Sequence, residues 1–499
     1  MGRCKKGIKP GQSSLSSIIL CRMRTGVYRF VTLLMVTGIP MLLTACMMGP
    51  DYVKPTVTIP ETYKEMDGWK LAQPKDEVIR GPWWEVFDDH QLNELEGQVD
   101  IANQNIAIAE AQFRQASALV LAARAAYFPL ATAGASANRA SGSSSLGREG
   151  LATPTNVTTT YLLAGNVTWE ADIWGRIRRT VESSRASAQA SAADLESVRL
   201  SVRAALAENY FLLRTLDRQK QLFDATVEAY RRSLELTTNQ YSSGVASRAD
   251  VLQAETQLKS VQAQAIDVGV LRAQYEHAIA VLVGKPPAQF SLPAAPLQAA
   301  PPAAPAGIPS ELLERRPDIA AAERRMAAAN AQIGVAKAAY FPAVTLGAAG
   351  GYESIDVSNW LTWPSSFWAV GPAISQIVFD GGLRRAMTDQ ARAAYDAAVA
   401  SYRQTVLISF KEVEDNAAAL RILEEESRAQ DEAVNAARKS LEFSLNQYKQ
   451  GTVSYLNVIT AQAAALNNER AAVSILGRRM TTSVLLIKAL GGGWERIQH

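Results

Sequence analysis

A unit of about 200 residues occurs twice in this chain of 499 residues. Three short segments of the first half return in the second half in the same order, 213, 206 and 207 positions later. They are Ala125–Pro129 and Ala338–Pro342, Gly175–Arg179 and Gly381–Arg385, and Asn239–Gly244 and Asn446–Gly451. A unit repeated only twice at this period is too long for an ordinary solenoid. The sequence therefore predicts one fold with internal pseudo-symmetry.

A secretion signal is predicted over residues 1–45, although a start at Met23 would already contain all that such a signal needs. Its apolar stretch, Val31–Leu43, is too short to span a bilayer as a mature helix. The signal ends in Leu-Thr-Ala-Cys, the bacterial lipobox pattern, so Cys46 is predicted to become the lipidated first residue. Lipoproteins without an aspartate directly after the lipidated cysteine are generally sent to the outer membrane. Met47 at this position therefore predicts that location. An ordinary signal with a chance cysteine is the alternative.

The mature chain offers little chemistry for catalysis or for a bound cofactor. Removal of residues 1–45 takes away seven basic and no acidic residues, which turns a net charge of +3 into about −4 and disfavours nucleic-acid binding. Only one cysteine remains, so neither a disulfide nor a cysteine metal site is expected. The three histidines are scattered and no phosphate-binding motif is present. We expect no enzyme, no metal and no cofactor apart from the lipid.

Alternating residues predict β-strands at equivalent places in the two repeats. Residues 159–174 alternate between an apolar set and a largely polar set, which is typical of a strand. The pattern suits either a half-buried soluble sheet or a membrane strand with lipid on one side and water on the other. Further strands are predicted over 129–139, 342–352 and 366–380, the last with Pro372 inside it.

Two long helices with heptad repeats are predicted over residues 176–240 and 382–448. A helix of 65 residues is roughly 98 Å long. Helices of this length cannot bury themselves within a compact domain, so they must pack side by side. Each is followed by a turn that contains Gly244 or Gly451 and then by a second helix, which gives two helical hairpins. A shorter helix is predicted before each strand pair, over residues 88–126 in the first repeat and from Pro317 to about Ala339 in the second.

These elements divide the chain into segments. After the signal we predict a lipidated tether over 46–87, a first repeat over 88–284, a Pro/Ala-rich linker over 285–310, a second repeat over 311–490 and a tail over 491–499. Four strands cannot close a barrel, and open sheet edges are not viable in a bilayer. Three chains would supply twelve strands, an even number within the range of outer-membrane barrels. Closure thus predicts a homotrimer.

The chain resembles the outer membrane factor family of the TolC type, in particular its lipoprotein efflux branch (NodT-like). The resemblance runs from Cys46 to about Gly492. It is carried by Gly49–Tyr52, Trp83 and Trp84 with Phe87 and Leu92, Trp174–Arg179, Glu314–Ile319, Ala329–Ala336, and the duplicated Tyr-Phe-Pro and Asn-Gln-Tyr-x-x-Gly segments. It implies a mixed α and β membrane protein: a trimer with a twelve-stranded barrel in the outer membrane and a long α-helical barrel in the periplasm.

The resemblance implies a passive exit duct that an inner-membrane pump drives through a periplasmic adaptor. The two helical turns would form its periplasmic tip, where Leu456 matches a hydrophobic constriction and Tyr448 a latch. Asn457 and Thr460 stand where the family commonly has aspartates. The alternatives are that Leu456 only packs within its hairpin and that Tyr448 is only a heptad core residue.

Three questions stay open at the level of sequence. In the first turn, Arg248 and Asp250 could pair across hairpins. The same channel body would suit type I protein secretion as well as the export of small molecules, although the lipobox favours small molecules. A periplasmic coiled-coil structural lipoprotein would explain the heptads and the lipid, but it would leave the duplicated strand pairs without a role.

Overall fold

The computed structural model describes residues 47–55, 82–141, 157–297, 301 and 316–492. The predicted signal and Cys46 lie outside the described residues. So do most of the predicted tether, the end of the linker and the tail after Gly492.

The described chain contains seven α-helices and four β-strands, and each repeat follows the same order of elements. In the first half these are α1 (His90–Ala102), α2 (Gln104–Ala125), β1 (Leu130–Ser141), β2 (Val157–Glu170), α3 (Arg176–Ser242) and α4 (Arg248–Leu282). In the second half they are α5 (Pro317–Ala338), β3 (Ala343–Ser354), β4 (Ser366–Ser375), α6 (Leu383–Lys449) and α7 (Tyr455–Ala489). The predicted elements are present, with one helix divided and two strands shorter than expected.

The described residues form two compact units, and each takes segments from both repeats. The first, which we call the sheet unit, contains the residues up to Pro50 together with Ala126–Thr180 and Ile333–Thr388. The second, the helical unit, contains the remaining segments, Asp51–Ala125, Val181–Gln332 and the chain from Asp389 onward.

In the sheet unit the strands form one antiparallel sheet in the order β1-β2-β3-β4. Directly opposed residues of antiparallel strands share a face. The register therefore places a largely apolar set on a single face: Ala131, Ala133, Ala135 and Ala137 of β1, Tyr161, Leu163, Val167 and Trp169 of β2, Val344, Leu346, Ala348 and Tyr352 of β3, and Trp368, Val370, Pro372 and Ile374 of β4. At the end where β1 leads into β2, the same face is polar, with Arg139, Ser141, Thr159, Ser354 and Ser366. The other face is mostly polar or small, apart from Leu130, Leu162 and Phe367.

This sheet buries neither of its faces within one chain. None of the residues in the four strands is buried, and Trp368 and Val370 are 81% and 73% exposed. The interpretation as a half-buried soluble sheet is therefore wrong. Pro372 is tolerated because β4 is an edge strand, whose outward N–H groups need no partner within the sheet.

In the helical unit the heptad positions form the core. On α3, Leu195, Val202, Leu206, Leu213 and Phe223 are all buried, as predicted. On α6, Val406 and Val413 are buried likewise. Further along α3, the heptad residues Val227 and Leu234 are half-buried, and Tyr241 is 41% exposed because the helix ends at the next residue. Apolar burial along these stripes is what makes helices of 67 residues stable.

Glu96 of α1 is a buried carboxyl group beside the aromatic end of this core. It is fully buried and neither carboxylate oxygen has a hydrogen-bond partner. Burial raises the pKa of Glu96 well above its usual value, Arg203 opposes this shift and Asp100 adds to it. Because the unfolded chain releases this proton first, stability is expected to fall as pH rises above the ordinary glutamate pKa of about 4.3 toward the folded-state value.

We predict that Glu96→Gln removes this loss of stability. The amide stays neutral, so the variant should gain on the wild type by up to about 1.4 kcal/mol for each pH unit between the two pKa values. Thermal unfolding in detergent at a series of pH values measures the effect. Glu94→Gln, an exposed position of the same helix, is the control. Parallel pH profiles for Glu96→Gln and the wild type would contradict the prediction.

Candidate functional site

The two helical turns have the same backbone conformation. Gly244 and Gly451 have φ values of +77° and +73°, a region that glycine enters without strain. In each turn a backbone N–H beyond the glycine donates back into the last helical turn, from Val245 to Gln240 O at 2.8 Å and from Thr452 to Gln447 O at 3.0 Å. The duplicated Asn-Gln-Tyr-x-x-Gly segment thus builds the same reversal twice.

The helices that leave the two turns are capped differently. Ser247 Oγ accepts a hydrogen bond from the Asp250 N–H at 3.2 Å, and the Asp250 carboxylate accepts one from the Ser247 N–H at 2.9 Å. This reciprocal pair is a capping box. Ser454, the equivalent residue of the second turn, makes no side-chain cap hydrogen bond, and Asn457 replaces the acid three residues later.

Within the described residues of one chain, neither Arg248 nor Asp250 forms an ion pair with the other hairpin. Asp250 bonds its own helix start, and exposed Arg248 makes no ion pair in the described part of the chain. The first turn therefore presents its arginine to solvent while its carboxylate is engaged locally.

Leu456, the predicted constriction, does not pack within its hairpin. Its side chain is 58% exposed at the beginning of α7. Asn457 and Thr460 are exposed beside it, and Thr460 Oγ1 donates to Leu456 O at 3.0 Å. The alternative interpretation of Leu456 as a packing residue of its own hairpin is therefore wrong for the single chain.

Tyr448 lies in a buried cluster that connects the two hairpins. It is 6% exposed, and its ring centroid is 5.2 Å from that of Tyr455. Tyr448 Oη donates to Thr237 Oγ1 on α3 at 3.3 Å, and Tyr455 Oη is 3.1 Å from Ser233 Oγ on the same helix. Buried Gln462 of α7 donates to Ser233 Oγ at 3.5 Å. Tyr448 is thus both a core residue and a hydrogen-bonding link between hairpins.

This cluster is electrically neutral. Burial raises the pKa of Tyr448 and of Tyr455, so both hydroxyl groups stay protonated near neutral pH. Ser233, Thr237, Tyr455 and Gln462 were not predicted as site residues. Ser233 and Thr237 are one helical turn apart, a spacing that places both on the same face, but sequence alone does not show what that face meets.

Within the described residues, no group of three or more histidine, cysteine or acidic side chains is arranged to bind a metal ion. In the same residues, no helix combines the length with the apolar character needed to cross a bilayer.

Comparisons with known proteins agree with these features. The chain matches the outer membrane efflux protein family over residues 97–285 and 308–492. It is 30% identical over 462 residues to the solvent efflux pump outer membrane protein SrpC of Pseudomonas putida, covering 92% of this chain and 98% of that protein. It is 29% identical over 456 residues to the probable efflux pump outer membrane protein TtgC of the same species, covering 91% and 94%. Superposition on the outer-membrane channel OprN gives a TM-score of 0.83 at 32% identity, covering 90% of this chain and all of OprN.

An open sheet with one apolar face, joined to two long helical hairpins, defines a channel protein of the outer membrane. The chain belongs to the outer membrane efflux protein family, which confirms the resemblance predicted from its sequence. It has the mixed α and β fold of these channels, and its function is that of the outer membrane channel of an efflux system.

Proposed function

We propose that three copies of this chain form a passive duct that carries small molecules through the outer membrane. An inner-membrane pump would supply the energy, and a periplasmic adaptor would join pump and duct. A lipid on Cys46 would add a membrane anchor to each copy. Residues of the two helical turns would form the periplasmic tip, which opens and closes the duct.

The sheet is the observation that carries this proposal. Its apolar face is continuous across four strands, and none of those strands is buried by the rest of the chain. Strands β1 and β4 each have one neighbour only, so two rows of backbone groups lack partners within the sheet. Such edges cannot face lipid. Three sheets joined edge to edge would satisfy them as a barrel of twelve strands, with lipid on the apolar face and water on the other.

The long helices support the same assembly. On α6, Leu407, Ile422 and Phe443 are 59%, 52% and 69% exposed although the opposite stripe of the helix is buried. Apolar side chains repeated along an exposed helix face are typical of an interface. In a trimer, hairpins of neighbouring copies would cover these residues, and the six hairpins would enclose a tunnel.

The relatives support small molecules as cargo. SrpC is named as a component of a solvent efflux pump, and ArpC of Pseudomonas putida, 29% identical over 456 residues, as a component of an antibiotic efflux pump. Export of proteins by the type I route remains the competing use of the same duct, and we propose small molecules because these relatives cover nearly the whole chain.

At the tip we propose a closure made by an apolar ring. Three exposed Leu456 side chains would meet around the axis, and a narrow apolar ring can block a pore by excluding water. The neutral Tyr448 cluster would hold the second hairpin against the first in the closed state. Because residues 457 and 460 are neutral, the ring would select for cations less than a ring that carried aspartates.

One experiment tests the assembly and the duct together. The mature protein, extracted from outer membranes in detergent, should have the mass of three chains, migrate as a heat-modifiable band and form channels in planar bilayers. A folded monomer that stays in solution without detergent would refute the proposal. A trimer that never conducts would be compatible with the twelve-stranded barrel but would refute the duct.

We predict that Asn457→Asp increases cation selectivity. The new carboxylate would complete the capping box with Ser454, worth about 0.5 kcal/mol at a helix N-terminus, and would place three negative charges at the tip of the trimer. The reversal potential across a KCl gradient measures selectivity. Asn457→Ser, which removes the amide without adding charge, is the control. Equal reversal potentials for the two variants would place residue 457 away from the ion path.

A further inference from the structure

Three of the segments that carry the family resemblance meet around the beginning of the described chain, far along the sequence from the helical turns. Within the sheet unit, Met47–Gly49 contacts the junction of β2 and α3 and the glycine of α5. The function proposed for the tip gives these segments no role.

The backbone of Met48 is held from both sides. Its N–H donates to Trp174 O at 3.1 Å, and its carbonyl oxygen accepts from Arg179 Nε at 3.2 Å. Arg179 is only 1% exposed. A buried guanidinium that donates to a backbone carbonyl makes a charge-assisted bond, which is stronger than a neutral one. A segment so close to the beginning of the mature chain is seldom fixed in this way, because termini usually fray.

Glycine residues make room for this segment. A Cβ on Gly334 would lie 2.7 Å from Met48 O and 2.8 Å from Arg179 Cγ, closer than real Cβ atoms come. A Cβ on Gly49 would lie 2.5 Å from Gly334 Cα, and Gly49 has a φ of +100°. A Cβ on Gly175, whose φ is +79°, would lie 2.8 Å from Met47 Cγ. A side chain at Gly334 or Gly49 would collide with backbone atoms and push Met47–Gly49 out of its place, whereas one at Gly175 would first displace the Met47 side chain.

The segment docks at one particular end of the sheet. Trp174 follows the end of β2 by four residues, donates its indole N–H to Pro342 O at 2.8 Å and stacks on Phe341, with ring centroids 4.6 Å apart. Pro342 directly precedes β3. At the same end, exposed apolar residues flank the strands, with Phe128 at 71% and Phe379 at 87%. Aromatic residues at the end of membrane strands are typical of the membrane–water interface.

We propose that Gly175, Gly334 and Arg179 form a docking cradle for Met47–Gly49, which fixes where the lipid on Cys46 enters the periplasmic leaflet of the outer membrane. This inference rests on the proposed lipidation of Cys46. A peptide bond joins Cys46 to Met47, so a docked Met47 carries the lipid to the end of the strands. A lipid inserted there holds the open sheet at the membrane surface while its strands enter the bilayer and pair with those of other copies.

The test compares rates of trimer assembly with and without the lipid. Gly334→Ala removes the cradle, and Gly269→Ala is its matched control, since Gly269 also lies inside a helix but has open space around an added Cβ. Each is made in the wild type and in Cys46→Ser behind a signal that an ordinary signal peptidase cleaves. Pulse-labelled cells are followed for heat-modifiable trimer in the outer membrane, and mass spectrometry of the N-terminal peptide reports lipidation.

We expect Gly334→Ala to slow assembly several-fold in the lipidated chain and to leave the rate of Cys46→Ser unchanged. Gly269→Ala should change neither rate. Equal slowing in both backgrounds would mean that Gly334 serves folding alone, which overturns the cradle. A wild-type N-terminal peptide without lipid would overturn both the lipidation and this inference, whereas the channel itself would stand if trimers still conduct.

A second variant leaves the cradle intact. A flexible Met-Gly-Ser-Gly-Ser spacer between Cys46 and Met47 keeps a methionine after the lipidated residue but separates the lipid from the docked segment by up to about 17 Å. It should slow assembly as much as Gly334→Ala does. Assembly of the lipidated spacer variant at the wild-type rate would overturn the proposal, since the position of the lipid would then be irrelevant.

Discussion

Leu456→Ala is expected to increase several-fold the ion leak through channels in planar bilayers. The leucine is 58% exposed at the first turn of α7, so its truncation leaves no cavity in the hairpin core. In the proposed trimer it removes three apolar side chains from the narrowest point, and a wider, less apolar ring no longer excludes water. Cells that carry the variant should also become sensitive to large antibiotics that the outer membrane normally excludes.

A matched variant separates gating from a general effect of losing an exposed leucine. Leu271 of α4 is 49% exposed, and Leu271→Ala removes the same atoms at a position remote in sequence from both turns. It should leave the leak near the wild-type value. If Leu456→Ala and Leu271→Ala behave alike, or if neither increases the leak, Leu456 does not close the duct. The Tyr448 cluster is untouched in both variants, so it cannot account for a difference.

The lengths of the long helices could be predicted from the sequence to within two residues. Their heptad positions are buried along one stripe, and the turn glycines end them. Two strand ends were predicted too far along the chain, at residues 174 and 380 instead of Glu170 and Ser375. Asp172 explains the first error: its carboxylate accepts from the backbone N–H groups of Ile177 and Arg178 at 3.0 and 2.9 Å and caps α3.

Asp380 plays the same part in the second repeat, where it accepts from the Gly382 N–H at 3.0 Å. An acidic residue that continues an alternating pattern looks like one more strand position, although it belongs to the next helix. The predicted helix over residues 88–126 is likewise broken at Asn103, whose side chain accepts from Asn105 N and Ile106 N at 2.9 and 3.2 Å. Such side-chain caps compete locally with strand or helix, and periodicity does not detect them.

The turns of the candidate site could be predicted because glycine and its neighbours determine them locally. The partners of Tyr448 could not, since the contact with Thr237 depends on how two hairpins more than 200 residues apart align. The fit of Met47–Gly49 against Gly334 also escaped prediction. A glycine in a helix indicates a close approach, but the sequence does not say of what.

A buried charge network in the helical unit holds the start of the linker between repeats. Asp217 of α3 is 3% exposed at its side chain and accepts from Arg214 at 3.0 Å and from Arg272 of α4 at 2.7 Å. It also accepts from the Ala295 N–H at 3.1 Å, while Arg214 donates to Pro293 O at 2.8 Å. One carboxylate thus pairs with two guanidinium groups and fixes the chain that leaves the first repeat, and Arg272 has a second carboxylate partner in Glu276 at 3.4 Å.

Asp217→Asn is therefore expected to destabilise the helical unit by about 3 kcal/mol, because Arg214, whose side chain is 3% exposed, would lose its carboxylate partner, and Arg272 would keep only that of Glu276. The asparagine keeps the size of the side chain, so the loss reports charge. Thermal unfolding followed by circular dichroism in detergent measures it. Asp224→Asn on the same helix is the control: its ion pair with Lys220 is 56% and 43% exposed and should be worth less than about 1 kcal/mol. Equal shifts for both variants would mean that solvent reaches the Asp217 network, and the linker would then be held by its apolar contacts at Leu292 and Leu297 instead.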